Sequence, residues 1–117
     1  MAKPKPEVVD WLEEVFAPLG AIGSARLFGG WQLRADGRPF AVVLDGTLYF
    51  VADRTLAAEL AAAGGRAFRY ARSGGMVTIG RFLSAPEADM DDEAALVGWG
   101  LRALAAAGLS PPPGRSG

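Results

Sequence analysis

The chain has 117 residues and a formal net charge of −1, with 50% apolar and 21% charged residues; that length supports one domain with a core of its own and not two. It contains no His, no Cys and no Asn, and a single Gln, Gln32, which excludes disulfides, thiolate nucleophiles, zinc fingers, iron–sulfur clusters and Ser-His-Asp hydrolases. A charge balance this close to neutral also argues against direct binding to a nucleic-acid backbone, which depends on a concentration of Lys and Arg.

Residues 1–6 and 109–117 are rich in Pro, Gly and charge without an apolar period, and read as tails around one folded unit over residues 7–108. Val8, Leu12, Val15, Phe16 and Leu19 then recur at the spacing of an amphipathic helix, with Glu7 and Asp10 in its first turn and Gly20 at its end. From residue 25 the pattern changes to short apolar runs, Arg26–Phe28, Trp31–Ala35, Phe40–Leu44 and Leu48–Val51. Asp36-Gly37 and Asp45-Gly46 punctuate them, which predicts an antiparallel meander. Two-residue turns at both Asp-Gly pairs place Leu33 opposite Phe40, Val42 opposite Tyr49 and Leu44 opposite Thr47. Trp31, Leu33, Phe40, Val42, Leu44, Tyr49 and Val51 then share one face, and Gln32, Arg34, Ala41, Val43, Leu48 and Phe50 the other.

Asp53 is placed to cap a second helix, with Leu56, Leu60, Ala57 and Ala61 turned inward and a stop at Gly64-Gly65. Ala67–Arg72 and Met76–Phe82 read as a hairpin through Ser73-Gly74-Gly75. Asp89 or Asp91 caps a last helix that is apolar at Val97, Trp99, Leu101 and Leu104 and stops at Gly108. The expected architecture is α+β, a two-layer sandwich in the order α-β-β-β-α-β-β-α, with a mostly antiparallel five-stranded sheet and helices on one face. No apolar run approaches the roughly 18 residues that span a bilayer. Met-Ala-Lys-Pro-Lys-Pro leads into an acidic segment, so a cytoplasmic protein without membrane contact is expected.

Leu27-Phe28-Gly29-Gly30, then Asp36-Gly37-Arg38-Pro39-Phe40-Ala41-Val42-Val43-Leu44-Asp45-Gly46-Thr47-Leu48-Tyr49-Phe50 and Asp53, resemble the N-terminal domain family of TfoX/Sxy, the bacterial competence regulators. Phe68-x-Tyr70, Met76 and Asp91-Asp92 with Trp99 fit the same pattern. The motif residues are Phe28, Gly29, Gly30, Asp36, Gly37, Phe40, Asp45, Gly46, Leu48 and Tyr49. The resemblance implies a secretion-chaperone-like α-β(3)-α-β(2)-α fold. It also implies a regulatory, stand-alone interaction domain, because the family is linked to transcription of DNA-uptake genes alongside a DNA-binding activator. The chain departs from the family pattern at Gln32-Leu33-Arg34, where Gly-Leu-Tyr is usual, and at Val51, where Lys is usual.

Three further features carry functional alternatives. Phe28-Gly29-Gly30 is either an anion-binding nest of backbone amides or a bend between strands; no helix start or Lys-Ser/Thr follows, which favours the bend. Arg69, Arg72 and Arg81 lie in a stretch, residues 54–86, with five Arg and one acid, Glu59. They form either an anion patch with Tyr70 as a stacking ring, or edge charges paired with acidic helix starts. Glu87, Asp89, Asp91, Asp92 and Glu93 lack the alternation and central Gly of a calcium loop and are better read as capping groups. No catalytic residue, metal site or cofactor is expected. The apolar second face, Ala41, Val43, Leu48 and Phe50, is the expected contact surface, for a homodimer or for a protein partner such as a transcription regulator. A small-ligand or anion-binding domain built on the Arg-rich hairpin is the alternative.

Overall fold

Val9, Leu12, Val15 and Phe16 fall along one side of a helix, and their burial fixes the first element, α1 (Glu7–Val15). This helix ends before Leu19 because Pro18 offers no amide hydrogen; the chain passes instead through a 3₁₀ turn, Ala17–Leu19. The computed structural model describes residues 5–27 and 29–109. Phe28, residues 1–4 and residues 110–117, which make up most of the two expected tails, lie outside the described residues. Lys5 donates to Glu13 at 2.8 Å and pairs with Asp10 at 3.3 Å, which fastens the chain to the exposed side of α1.

The strands that follow are β1 (Ile22–Leu27), β2 (Gly30–Ala35), β3 (Arg38–Leu44) and β4 (Thr47–Val51). After α2 (Arg54–Ala62) come β5 (Ala67–Arg72) and β6 (Gly75–Ser84), then a 3₁₀ turn at Glu87–Asp89 and α3 (Glu93–Leu109). All strands join one antiparallel sheet in the order β1-β2-β3-β4-β6-β5. Among the described residues the sheet has six strands, not five: the run at Arg26 is the end of a strand that begins at Ile22, whose Gly23, Ser24 and Ala25 carry no apolar alternation. Both Asp-Gly pairs form the expected two-residue turns. Asp36 and Gly37 have φ of 50° and 81°, and Asp45 and Gly46 have φ of 53° and 74°, the left-handed pairs of a type I′ turn.

Pairing of β2 with β3 differs from the expectation by one residue. Leu33 lies opposite Ala41 and not Phe40, and the next pair is Arg34 with Pro39, so Phe40 is an extra residue. Such a bulge puts neighbouring residues of one strand on the same side, and Phe40 and Ala41 are both fully buried in the helix-side core. Pro39 is the sequence signal for it, because a proline inside a sheet is accommodated at a bulge. Beyond the turn at Asp45-Gly46 the register is as expected, with Val42 opposite Tyr49 and Leu44 opposite Thr47.

The slip reverses the assignment of the two faces. Ala41, Val43, Leu48 and Phe50, expected at a surface contact, are 0%, 3%, 2% and 0% exposed, packed with Trp31, Leu33 and Phe40 beneath the helices. They are core residues and cannot meet a partner. Phe16 lies edge-on to Phe40 at 5.0 Å and to Phe50 at 6.1 Å, which ties the end of α1 to the middle of the sheet. The opposite face carries a second, smaller cluster of Val42, Leu44 and Phe82, flanked by Leu27, Tyr49, Val51, Phe68 and Ile79. No helix covers it. Its cover comes from the β5–β6 hairpin, where the pairing jumps from Ala67–Leu83 to Phe68–Ile79 and brings Phe68 edge-on to Tyr49 at 5.3 Å.

Asp53 caps α2 as expected, accepting from the Leu56 amide at 2.8 Å. Leu56 and Leu60 are buried, whereas Ala61 points to solvent. The cap of α3 is Asp92, which accepts from the Ala95 amide at 3.1 Å, and neither Asp89 nor Asp91. This helix is apolar on nearly every side, so its sequence does not mark its inner face. Leu96, Ala103 and Ala106 point inward, while Leu101 is 54% exposed. Truncation of Phe16 to Ala is expected to cost about 3–5 kcal/mol in chemical denaturation. Asp53→Ala should cost about 1 kcal/mol, or about 5 °C in Tm; equal effects would mean that the ring cluster does not hold α1.

Candidate functional site

The motif residues build the fold before they build any surface. A side chain at Gly30 would strike the Val43 carbonyl and the Leu44 side chain, so only glycine lets β2 approach β3 there. Gly29, with φ of 78°, turns the chain from β1 into β2. This is the bend reading; Phe28, the remaining member, lies outside the described residues. Asp36 does more than turn the chain: its carboxylate accepts from the Ala21 amide at 2.9 Å and its own amide donates to the Ala21 carbonyl at 2.9 Å. The β2–β3 turn is thereby clamped to the start of β1. Phe40 and Leu48 are core residues, and Asp45-Gly46 is the β3–β4 turn.

Tyr49 is the motif residue that faces away from the helices. Burial against Phe68, and secondarily the Asp45 carboxylate, push its phenol above the usual value near 10. On β5, Phe68 and Tyr70 stack at 5.8 Å with their rings 23° apart. Alternation along the strand puts Arg72 on that same face and Arg69 on the other, so the sheet separates two of the three patch residues while keeping both on an edge strand. Arg81 lies at the bend of β6, its guanidinium 5.7 Å from the Phe82 ring. Pairing with acidic helix starts does not occur: among the described residues, Arg66, Arg69, Arg72 and Arg81 form no ion pair with a carboxylate.

The acidic stretch is occupied structurally. Asp92 caps α3, and Asp89 accepts from the Trp99 indole at 2.8 Å. Among the described residues no group of three or more carboxylates is gathered to hold a metal ion. Arg102 lies 5.4 Å from the Trp99 ring and pairs with Glu59 of α2. Next to it a shallow recess of about 180 Å³ is lined by Asp53, Thr55, Leu56, Arg102, Ala105 and Ala106. Its cap and its cation are both engaged by the protein itself.

Two solvent-facing regions remain. The outer side of α3 presents Ala94, Leu101 and Ala105, with Gly98 between them, where an added side chain would meet open space. The hairpin presents Met76, 55% exposed, near its tip together with the arginines. The sequence does not mark the first, because α3 has no polar side to contrast with its apolar one, whereas the arginines of the second stand out in it. Among the described residues no helix is long and apolar enough to cross a membrane.

Six antiparallel strands with three helices on one side define a two-layer α+β domain whose motif residues serve turns and core. The chain belongs to the TfoX N-terminal domain family, whose model matches residues 14–107. No curated protein matches the chain.

The raised phenol gives a pH prediction. Above about pH 10 the unfolded chain ionises Tyr49 while the folded chain resists, so folding stability present below that pH is lost as pH rises. Tyr49→Phe removes this loss. The stability difference between wild type and Tyr49→Phe should therefore shift in favour of the variant above about pH 10 in urea denaturation; a difference independent of pH would show that the ring ionises freely.

Proposed function

We propose that this chain is a cytoplasmic, non-enzymatic regulatory module that works by protein contact in the manner of TfoX/Sxy N-terminal domains, and that it does so as a homodimer. The observation that carries the reading is the outer side of α3. Ala94, Gly98, Leu101 and Ala105 recur at i, i+4, i+7 and i+11, forming one stripe, with Leu101 more than half exposed. A glycine inside a helix costs about 1 kcal/mol relative to alanine, and no packing among the described residues uses the space beside Gly98. The neighbouring cation, Arg102, is already neutralised by Glu59. An uncharged stripe of small residues around one leucine has no charge for an unlike partner to read, and it complements itself across a two-fold axis. The regulatory partner of the dimer is a transcription regulator, as the family resemblance suggests.

Sedimentation velocity tests the dimer. Wild type should sediment as a dimer at micromolar concentration, and Leu101→Glu as a folded monomer, because an exposed position tolerates the charge. A wild type that stays monomeric, or a Leu101→Glu variant that remains dimeric, would remove α3 as the contact. Phe50→Glu, at a fully buried site, is expected to unfold the chain instead of separating subunits.

A second reading, anion binding by the hairpin, is favoured by the absence of carboxylate partners for its arginines among the described residues.

A further inference from the structure

The β5–β6 hairpin combines three properties. Residues 60–86 contain Arg66, Arg69, Arg72 and Arg81 and no Asp or Glu, and these arginines have no ion-pair partner among the described residues. Phe68 and Tyr70 lie nearly parallel on the outer face of β5, both partly exposed, with Arg72 next along the same face. Finally, β5 is an edge strand, and β6 pairs with β4 only through Phe82, Leu83 and Ser84. The distal half of the hairpin is therefore a two-stranded ribbon reachable along its edge.

We propose that this ribbon binds single-stranded nucleic acid, with bases stacked at Tyr70 beside Phe68 and phosphates held by Arg69 and Arg72 on either side of the edge strand. This site is separate from the α3 stripe and goes beyond the contact function assigned to it. The two halves of the recognition have different chemistry. Every base offers a flat π-face to an aromatic ring, so stacking tolerates sequence, whereas guanidinium groups take phosphate oxygens through charge-assisted hydrogen bonds. A simple anion would use the arginines and leave the rings idle. Duplex DNA would bury its base faces and require many more cations than a ribbon of this size carries.

Fluorescence anisotropy of a labelled oligothymidylate of about twelve nucleotides tests the proposal on the full chain. The wild type should bind, and raising salt from about 50 to about 200 mM should weaken binding about sevenfold if two phosphates are engaged, at a slope of about −0.7 per phosphate. Tyr70→Ala should lose at least about fivefold in affinity through the stacking contact. Arg69→Gln with Arg72→Gln should flatten the salt dependence. Circular dichroism melts show that each variant is folded, and Leu101→Glu, remote from the ribbon, should bind as wild type does, so that failure of the dimer and failure of this site are told apart. Absence of binding at low salt overturns the proposal. So does competition by inorganic polyphosphate or a polyglutamate peptide as effective as unlabelled oligonucleotide with no effect of Tyr70→Ala, since that marks a plain charge patch.

Discussion

Side chains on a strand alternate with a period of two, so one extra residue exchanges every position beyond it between the faces of a sheet. The bulge at Phe40 is that extra residue, and the architecture depends on it. Because β3 lies inside the sheet, its register against β2 decides which of its residues meet the helices. With Phe40 and Ala41 both turned inward, Val43 of β3, Leu48 and Phe50 of β4 and Leu33 of β2 gather under α1, α2 and α3. Phe16 can then reach Phe40 and Phe50 together. Without the bulge Leu33 would share its face with Phe40, Val42 and Leu44, and Ala41, Val43, Leu48 and Phe50 would lie on the opposite side.

Family membership acquires a physical content from this arrangement. The glycines and aspartates of the motif hold backbone positions that other residues reach only with strain or a clash: left-handed turns at Asp36-Gly37 and Asp45-Gly46, and the close approach of β2 to β3 at Gly30. Asp36 additionally locks the turn to Ala21. A motif of this kind identifies a fold and leaves the surface free, which is why contact function has to be sought at α3 and at the hairpin, outside the motif's glycine and aspartate turns. The uncharged helix side and the charged ribbon are chemically unlike, and each suits a different class of partner.

Much of the fold was legible because local chemistry agrees with it. The Asp-Gly turns, the Asp53 cap and the apolar period of α1 each carry their own physical signature, and so does the β5–β6 hairpin, although its turn is Ser73-Gly74 with Gly75 already in β6 and not the expected Ser73-Gly74-Gly75. What was illegible lay where the signature is silent or doubled. The first half of β1, Ile-Gly-Ser-Ala, has no alternation, so a strand was undercounted. Asp89, Asp91 and Asp92 are equivalent as caps in sequence, and the difference between them is that Asp89 is taken by the Trp99 indole. The inner side of α3 could not be found in a helix apolar all round. The faces of the meander are exchanged because the two-residue turn at Asp36-Gly37, counted without a bulge, pairs Leu33 with Phe40 and not with Ala41. The arginines of the hairpin were visible in the sequence, but their lack of carboxylate partners is a property of three-dimensional arrangement alone.

The two apolar clusters on either side of the sheet share strand backbones but do not merge. Val42, Leu44 and Phe82 pack with the hairpin, while Phe40, Val43 and Phe50 pack with the helices. Residues that share no partner contribute to stability additively, so the two sides form separable energetic accounts within one cooperative domain. Changes in the distal half of the hairpin, between Phe68 and Ile79, can accumulate without altering the packing under the helices, whereas Ala67 and Leu83 at its base belong to that packing. The distal ribbon is thus the part of the sheet least tied to the packing under the helices.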